Sequence, residues 1–594
     1  MKKGLLLIIL ILTSTILVGC KEEIVTEDRL SVELNRLLTL LPEEIEQDTV
    51  LPDTLDDFEL QYSIDQVVLQ NRLLQYQGRQ QDYTVYILIT LILDSEVTTY
   101  YFGITMKKLP PVTELSVIDQ AFLEINHFFP ERMVSNTTLP EVSLQDVLVN
   151  YVVDCTEVVR GRLVYTFPEE DQACTLEASV TYQDETETRD ISFVMSAYDL
   201  LPQIPAIYIT TNQNEEINSN EVYVQASMTL DSDENPLFPT IEDASLGIRL
   251  RGNSTLYMPK KSYRIKFDEK TKLLSDYAEN DWVLLANYTD QTLVRNYVAY
   301  HMGTKLEMEF VPTYRFVDLY INGEYQGNYM LSDQIEVTND CLDIEENTTN
   351  IDTGYLVEYD LGLYRVGLEN SGENYFLLNG IPFVIKSPNF EDPHYQEAQK
   401  EYIETYFHNL YNVLVNKEDY RPYIDLDSWI DWFIVSEVFK NVDSGYSSVY
   451  FYKDAGGKLK MGPLWDFDLS SGNQGHLGDD IRGPEGWYTA RGDKNIFFNL
   501  LMEYESFKIA LKARWNEVYD PTLLSVLDDV LRVSDSITHS RYRNFEKWDV
   551  IGKNFDWYTA KEVYALETYD EQVWFLYDYL ETRLHWLNEN INGL

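Results

Sequence analysis

Residues Asn441–Asp468 read NVDSGYSSVYFYKDAGGKLKMGPLWDFD, and this stretch decides the fold. An apolar-periodic run, Ser428–Lys440, leads into Asn441-Val442-Asp443-Ser444. A first strand is expected over Ser448–Lys453, a turn at Asp454-Ala455-Gly456-Gly457-Lys458, and a return strand over Leu459–Leu464. Pairing Lys453 with Leu459 and following the ladder back sets Asp466 opposite Tyr446, beside Asp443. The hairpin thus delivers two acidic clusters to one end of one ladder. Phosphoryl transfer needs that arrangement: one Asp orients or deprotonates the acceptor hydroxyl, and another holds a divalent cation on the phosphates. Taken alone, Asp466-Phe467-Asp468 reads equally as a calcium site or a helix N-cap.

Outward from the hairpin, helical periodicity dominates from Pro393: Gln396–Val415, Leu426–Lys440, Asn495–Val518, Pro521–Ser536 and Thr559–Asn588. Upstream the pattern is β-rich. Ile207–Thr210, Glu221–Leu230, Ser245–Leu250 and Ser262–Phe267 read as strands, and Asn322-Gly323 is a type I′ turn signal between Phe316–Ile321 and Tyr325–Leu331. A β-rich lobe followed by a helical lobe is an α+β bilobal layout, expected over residues 203–594. Leu201–Pro205 is the linker before it.

The β-rich part carries six cations within the eighteen residues Arg249–Lys266, in a chain whose formal net charge is −53. Strand alternation puts Lys260, Ser262, Arg264 and Lys266 on one face. Arg251 and the Gly252-Asn253-Ser254 turn offer a guanidinium fork and backbone N–H donors for phosphate. The plainer reading is a solvated basic face paired with nearby Asp and Glu. Further on, Asn287 and Asp290 are candidate caps of a helix bearing Arg295 and Asn296.

Two N-terminal segments, 28–108 and 112–198, share one order of motifs. Each has a helical stretch (Ser31–Leu41; Val117–Phe129), then Leu-Pro, then runs alternating at period two (Tyr83–Leu93; Cys174–Tyr182). Small antiparallel sandwiches are expected, serving as a stalk or a binding module. Their order resembles the atrophied immunoglobulin-like repeats of bacterial surface proteins. Cys155 and Cys174 flank strands there and are a possible disulfide, the alternative being two separate thiols.

The chain opens with Met1-Lys2-Lys3, an apolar run to Leu12, and Leu17-Val18-Gly19-Cys20. Residues 1–20 read as a signal peptide, and Leu-x-Gly-Cys resembles a lipobox. Cys20 is then a lipidation site, tethering the chain to the outer face of a bacterial membrane. The acidic body argues against nucleic-acid binding. No zinc-ligand spacing is present.

Several blocks together resemble the CotH (spore coat protein H) kinase family. They are Arg251–Thr255 with Lys260–Phe267, Trp282–Asn287, Tyr320–Gly327, Gly354-Tyr355-Leu356 and Gly462–Asp468. The resemblance implies an atypical protein-kinase-like fold, use of ATP with Mg²⁺ or Mn²⁺, and transfer of phosphate to Ser or Thr of surface or coat proteins. It implies Asp443 as the catalytic Asp and Asp466 as metal ligand, with Asp468 and Asn441 assisting. The phosphate grip falls to Arg251, Asn253, Lys261, Arg264 and Lys266, Lys261 and Lys266 first. Asp333 stands where the family often has Glu, a residue placed to orient a phosphate-binding Lys. The rival expectation is a surface adhesion or scaffold protein using a kinase-like domain on a stalk.

Overall fold

The computed structural model describes residues 116–594 except 233–237, 339–340, 348, 477, 493 and 556–557, and before residue 116 only Leu41 and strand segments between 44 and 106. The leader, Cys20 and all but Leu41 of the stretch Ser31–Leu41 lie outside the described residues. Among the described residues no helix is long and apolar enough to cross a membrane.

The chain divides into two compact units. The first comprises Met1–Glu131, Thr138–Leu163 and Ala173–Phe193. Its alternating runs are strands: Tyr83–Leu93 pairs antiparallel with Glu96–Met106 and, on its other side, with Phe58–Ser63. Helix Val117–Phe128 starts where Ser116 Oγ accepts from Asp119 N at 3.0 Å. Ile118, Ala121, Phe122 and Ile125 share one helical face and bury against Ala178 and Val180. Those two belong to the strand that pairs with Leu148–Val153. The Cys155–Cys174 disulfide is formed. Cys341, in the other unit, is a buried free thiol whose ionisation burial suppresses.

The second unit gathers Arg132–Thr137, Val164–Gln172 and Val194–Leu594. Aromatic rings account for the early segments: Phe167 stacks on Tyr542 at 4.6 Å, and Tyr198 on His539 at 5.4 Å. From Ala206 seven strands close a barrel: β1 (Ala206–Thr211), β2 (Val224–Asp231), β3 (Ile241–Arg251), β4 (Ser262–Thr271), β5 (Glu279–Leu285), β6 (Arg315–Ile321) and β7 (Glu324–Asp333). Each pairs antiparallel with its neighbour, except that β1 and β6 close the barrel in parallel. Asn322 and Gly323 both have positive φ, 51° and 79°, as a type I′ turn requires. Alternation along β4 sends Tyr263, Ile265 and Phe267 into the barrel core, so Ser262, Arg264 and Lys266 project outward. Lys260 departs from the expected stripe. It precedes β4 and is buried, donating to Ala286 O (2.8 Å), Asn328 O and Asn544 Oδ1 (2.9 Å). With every N–H consumed by protein acceptors, it is part of the frame.

Helix α1 (Arg295–Lys305) sits between β5 and β6 in sequence. A second sheet follows, made of β8 (Tyr355–Tyr359), β9 (Tyr375–Leu378), β10 (Ile381–Ser387), β11 (Val449–Lys453) and β12 (Lys460–Met461), in the order β9-β10-β8-β11-β12. Helices α2 (Glu397–Val415) and α3 (Leu426–Val438) lie between β10 and β11. The helices α4 (Glu505–Val518), α5 (Val526–Ser536), α6 (Thr538–Lys547) and α7 (Tyr569–Asn592) complete the chain. The starts of α4, α5 and α7 are later than periodicity alone indicates. α7 begins at a capping box in which Thr568 and Glu571 satisfy each other's backbone N–H groups, and a π-turn over Tyr519–Leu523 precedes α5. An aromatic core with Trp429, Phe433, Phe451, Phe497 and Phe498, all fully buried, packs α3 against β11.

Candidate functional site

The hairpin register is Phe451↔Met461 and Tyr452↔Lys460, the register expected from pairing Lys453 with Leu459, but the ladder stops short of Tyr446 and Asp466. The return strand is shorter than expected. Its last regular residue is Met461; Gly462 N still donates to Tyr450 O at 3.0 Å, and Pro463 follows with no N–H to continue the ladder. Trp465–Asp468 is therefore irregular, and side chains hold it. Phe467 N donates to Asn296 Oδ1 at 2.7 Å, and Asn296 donates in turn to Asn287 Oδ1 at 3.1 Å. Asn473 Nδ2 donates to Asp468 O at 2.7 Å. Asp466 itself has φ 63°, a left-handed conformation that costs a non-glycine residue energy and collects at functional sites.

Asp443 lies on a 3-10 turn, Val442–Gly445, just past α3. Asn441 Oδ1 accepts from Asp443 N at 3.0 Å, and its Nδ2 faces Trp465 O at 3.5 Å. The Asn441 amide thus braces one aspartate segment against the other. Tyr488 OH donates to Val442 O at 2.7 Å, and Ser444 Oγ meets Thr489 Oγ1 at 2.9 Å. The turn is fixed from several sides.

Asp466 and Asp468 act on each other, and Asp443 lies within their electrostatic reach. The three residues are half-buried. Burial pushes Asp443 well up, and Asp466 and Asp468 push it further, with Arg365 opposing. Burial also raises Asp468 well above the carboxylate range, reinforced by Asp466 and Asp290. Asp466 is raised by burial but partly rescued by Arg251. The Asp466 and Asp468 carboxyls hydrogen-bond to each other, and Asp468 is the one driven to keep the proton. Asp466 and Asp468 are the carboxylates that could hold a divalent cation of the Mg²⁺ or Mn²⁺ kind here, since hard oxygens suit such an ion.

Of the residues singled out for phosphate, Arg251 reaches the cluster. It ends β3, lies over the Trp465 ring at 5.4 Å, and supports Asp466 electrostatically. Burial lowers its own pKa. Gly252 (φ 103°) follows, and a Cβ there would collide with Thr255 Oγ1, so the turn demands glycine. Asn253 is exposed on that turn. Arg264 pairs with Asp281 at 2.7 Å while remaining in the field of Arg251. Lys266 also pairs with Asp281, at 3.0 Å, and Lys261 donates to Leu256 O at 2.6 Å. These two lysines, the first choices for gripping phosphate, are committed to partners on the barrel. Asp333 also differs from expectation: it accepts from Tyr277 OH at 2.9 Å and from Thr313 N, bonds that hold the loops before β5 and β6 to the end of β7.

The sequence marked Asp290 only as a candidate helix cap and did not single out Tyr300, Glu358, Asp360 or Arg365; all five interact electrostatically with the aspartates. Asp290 is buried with Arg295 (2.5 Å) and caps α1 by accepting from Arg295 N at 2.9 Å. Glu358 had a visible signal, a lone charge inside the apolar strand Tyr355–Tyr359.

The family model described as "CotH kinase protein" matches residues 248–587. No curated protein matches the chain. Among solved structures, the crystal structure of Drosophila N-cadherin EC1-4 is 10% identical, with 40% of this chain and 71% of that chain covered. Its TM-score of 0.10 carries no argument. The family match spans the barrel from the second half of β3, the Asp443 turn, the Asp466 segment and α7 as far as Leu587, and on that basis the chain belongs to the CotH kinase family.

Proposed function

We propose that the protein is a metal-dependent atypical protein kinase that transfers phosphate from ATP to Ser or Thr of extracellular or coat proteins. The observation that supports this reading is that Asp443, before the short hairpin, lies within electrostatic reach of Asp466 and Asp468, after it. Asp443, forced upward in pKa, is suited to take or orient the proton of an acceptor hydroxyl. Asp466 and Asp468 supply the oxygen ligands for a divalent cation, which when bound neutralises phosphate charge. Arg251 places a guanidinium beside Asp466, where phosphate oxygens bridge naturally. Asn441 keeps the two aspartate segments in register. The barrel and the helical half then act as the two lobes of a kinase-like fold.

The leader and Cys20 support display by a lipid anchor on the outer face of a bacterial membrane, on a stalk of two immunoglobulin-like repeats, with protein substrates at the cell or spore surface. Cys20→Ala is expected to move the protein from the membrane fraction to the medium.

The test is autophosphorylation of the chain from Lys21 onward with labelled ATP, with Mg²⁺ or Mn²⁺ and with chelator, beside Asp443→Ala and Asp466→Ala. Label that needs metal and both aspartates is the expected result. No label and no nucleotide binding would overturn the kinase reading in favour of a surface adhesion or scaffold role.

A further inference from the structure

We propose that strand Leu148–Val153 is a self-pairing edge, which joins antiparallel to the same strand of a second copy of this chain. The inference stands on the first unit alone and is independent of the kinase reading.

The strand reads Leu-Val-Asn-Tyr-Val-Val and lies at the end of its sheet. One side pairs with Gln172–Tyr182, and among the described residues no strand pairs with the other. The ladder runs from Leu148↔Thr181 to Val153↔Leu176 without a bulge. Its inner face is anchored: Val149 and Tyr151 pack on the core around Phe122 and Ala178, and Tyr151 OH donates to Pro140 O at 2.8 Å. The outer face carries Leu148 (69% exposed), Asn150 and Val152 (61% exposed). Their ladder partners on that face are Thr181, Ser179 and Glu177, so the adjacent strand offers the two aliphatic side chains no apolar neighbour. β proteins guard an open edge with a charge, a proline, a bulge or a covering segment. Phe58–Ser63, which lies against its own long hairpin in the same way, has Thr54–Leu55 paired along the start of its outer side. Leu148–Val153 has none of these guards, in a chain of net charge −53.

The strand's own pattern names its occupant. A two-fold axis normal to the sheet keeps outer faces together, so outer residues oppose outer residues. With the axis at Asn150, that residue meets Asn150 of the second copy, and Leu148 meets Val152 of the second copy at two places. Both exposed aliphatic side chains then gain an apolar cross-strand neighbour. Charge points the same way. Two bodies this acidic repel each other, and a neutral strand is a part of the surface that can approach its own image without opposing like charges. Asp146 and Asp154 bracket it and confine the contact to the strand. A contact of this length is smaller than a standard interface, so the dimer forms at high local concentration and tightens as salt screens the acidic bodies.

The test is sedimentation velocity of the full mature chain, from Lys21 onward, up to about 100 µM and in about 0.1 M and 0.5 M NaCl. A monomer–dimer equilibrium is expected, tighter at the higher salt. Leu148→Glu with Val152→Glu should weaken it by about tenfold or more, because like charges then oppose each other at two places. Leu148→Lys with Val152→Lys should also fail to pair with itself, and should form a mixed dimer with the double glutamate variant. Thermal melts establish that each variant is folded. A short bis-maleimide should link Asn150→Cys to its own copy and Leu148→Cys to Val152→Cys, and should not link Val152→Cys to its own copy; the free thiol Cys341 is buried and does not compete. A wild type that stays monomeric throughout would overturn the proposal, the edge then being open to a strand of another protein. A dimer that the double glutamate variant forms as readily would overturn it too, by placing the contact elsewhere.

Discussion

Replacing Arg583 by leucine is expected to undo the second unit from a position outside the aspartate cluster. Arg583 and Glu437 are 0% and 1% exposed, with Arg583 NH2 2.5 Å from Glu437 Oε2. The same guanidinium donates to Glu437 O (2.7 Å), Pro484 O (2.8 Å) and Gly486 O (2.6 Å). Glu437 also accepts from Tyr488 N and Ala490 N, each at 3.1 Å. Leucine would strand a buried carboxylate, at about 3–5 kcal/mol, and leave three carbonyls short of a donor at about 1 kcal/mol each. These costs overlap, so about 4 kcal/mol or more is expected from a fold whose whole stability is of order 5–15 kcal/mol. The segment from Pro484 to Ala490 would loosen, and with it Tyr488 and Thr489, which hold the Asp443 turn. Urea unfolding followed by tryptophan fluorescence measures the loss, and labelled-ATP turnover measures the effect on the turn. The double change Glu437→Met with Arg583→Met should cost less than Arg583→Leu alone, since it removes the orphaned charge. A single-variant loss below about 1 kcal/mol would refute the reasoning.

Other expectations are as direct. Mg²⁺ should raise the melting temperature of the wild type and not of Asp466→Asn with Asp468→Asn, because the cation relieves crowding among carboxyls that the double variant lacks; equal shifts would contradict the cluster as a metal site. Glu336 is pushed up to about 7 by burial and then by Asp281. An acid with a raised pKa stabilises the fold while protonated, fully below its unfolded value of 4.5, and this is lost as pH rises through about 7. Glu336→Gln should therefore gain about 1–2 kcal/mol at pH 8.5 relative to pH 5, after discounting for partial exposure; no pH dependence in the difference would refute this. Cys155→Ser with Cys174→Ser opens a cross-link spanning 19 residues and should cost the first unit about 2–4 kcal/mol. Calorimetry that shows both units melting as before would count against it.

The hairpin register and the Asp443/Asp466 pairing were legible because turn chemistry and strand period are local. So were the period-two strands of the first unit and the barrel alternation that turns Arg264 and Lys266 outward. What each lysine meets was not legible: alternation says which way a side chain leaves a strand, not what waits there. Asp281, from the neighbouring strand β5, captures both Arg264 and Lys266. Helix α6 escaped notice because it is mostly polar on its buried side, where Ser540 and Asn544 make hydrogen bonds to β6 and β7. Hydrophobic periodicity does not register that kind of packing. Glu358 and Arg365 reach the aspartates through sheet topology, which no local pattern states.

The buried amine of Lys260 bears on how this domain can be divided. One ammonium joins the entry to β4, the exit of β5, strand β7 and helix α6. Asn544 also accepts from Asn328 N at 3.1 Å. A chain cut before α6 would keep a charge sealed in the barrel wall with one of its acceptors gone, and β7 would lose the same side chain. The barrel is therefore poorly suited to life as a portable module. Recombination that exchanged lobes between related chains would have to carry residue 260 and residue 544 together.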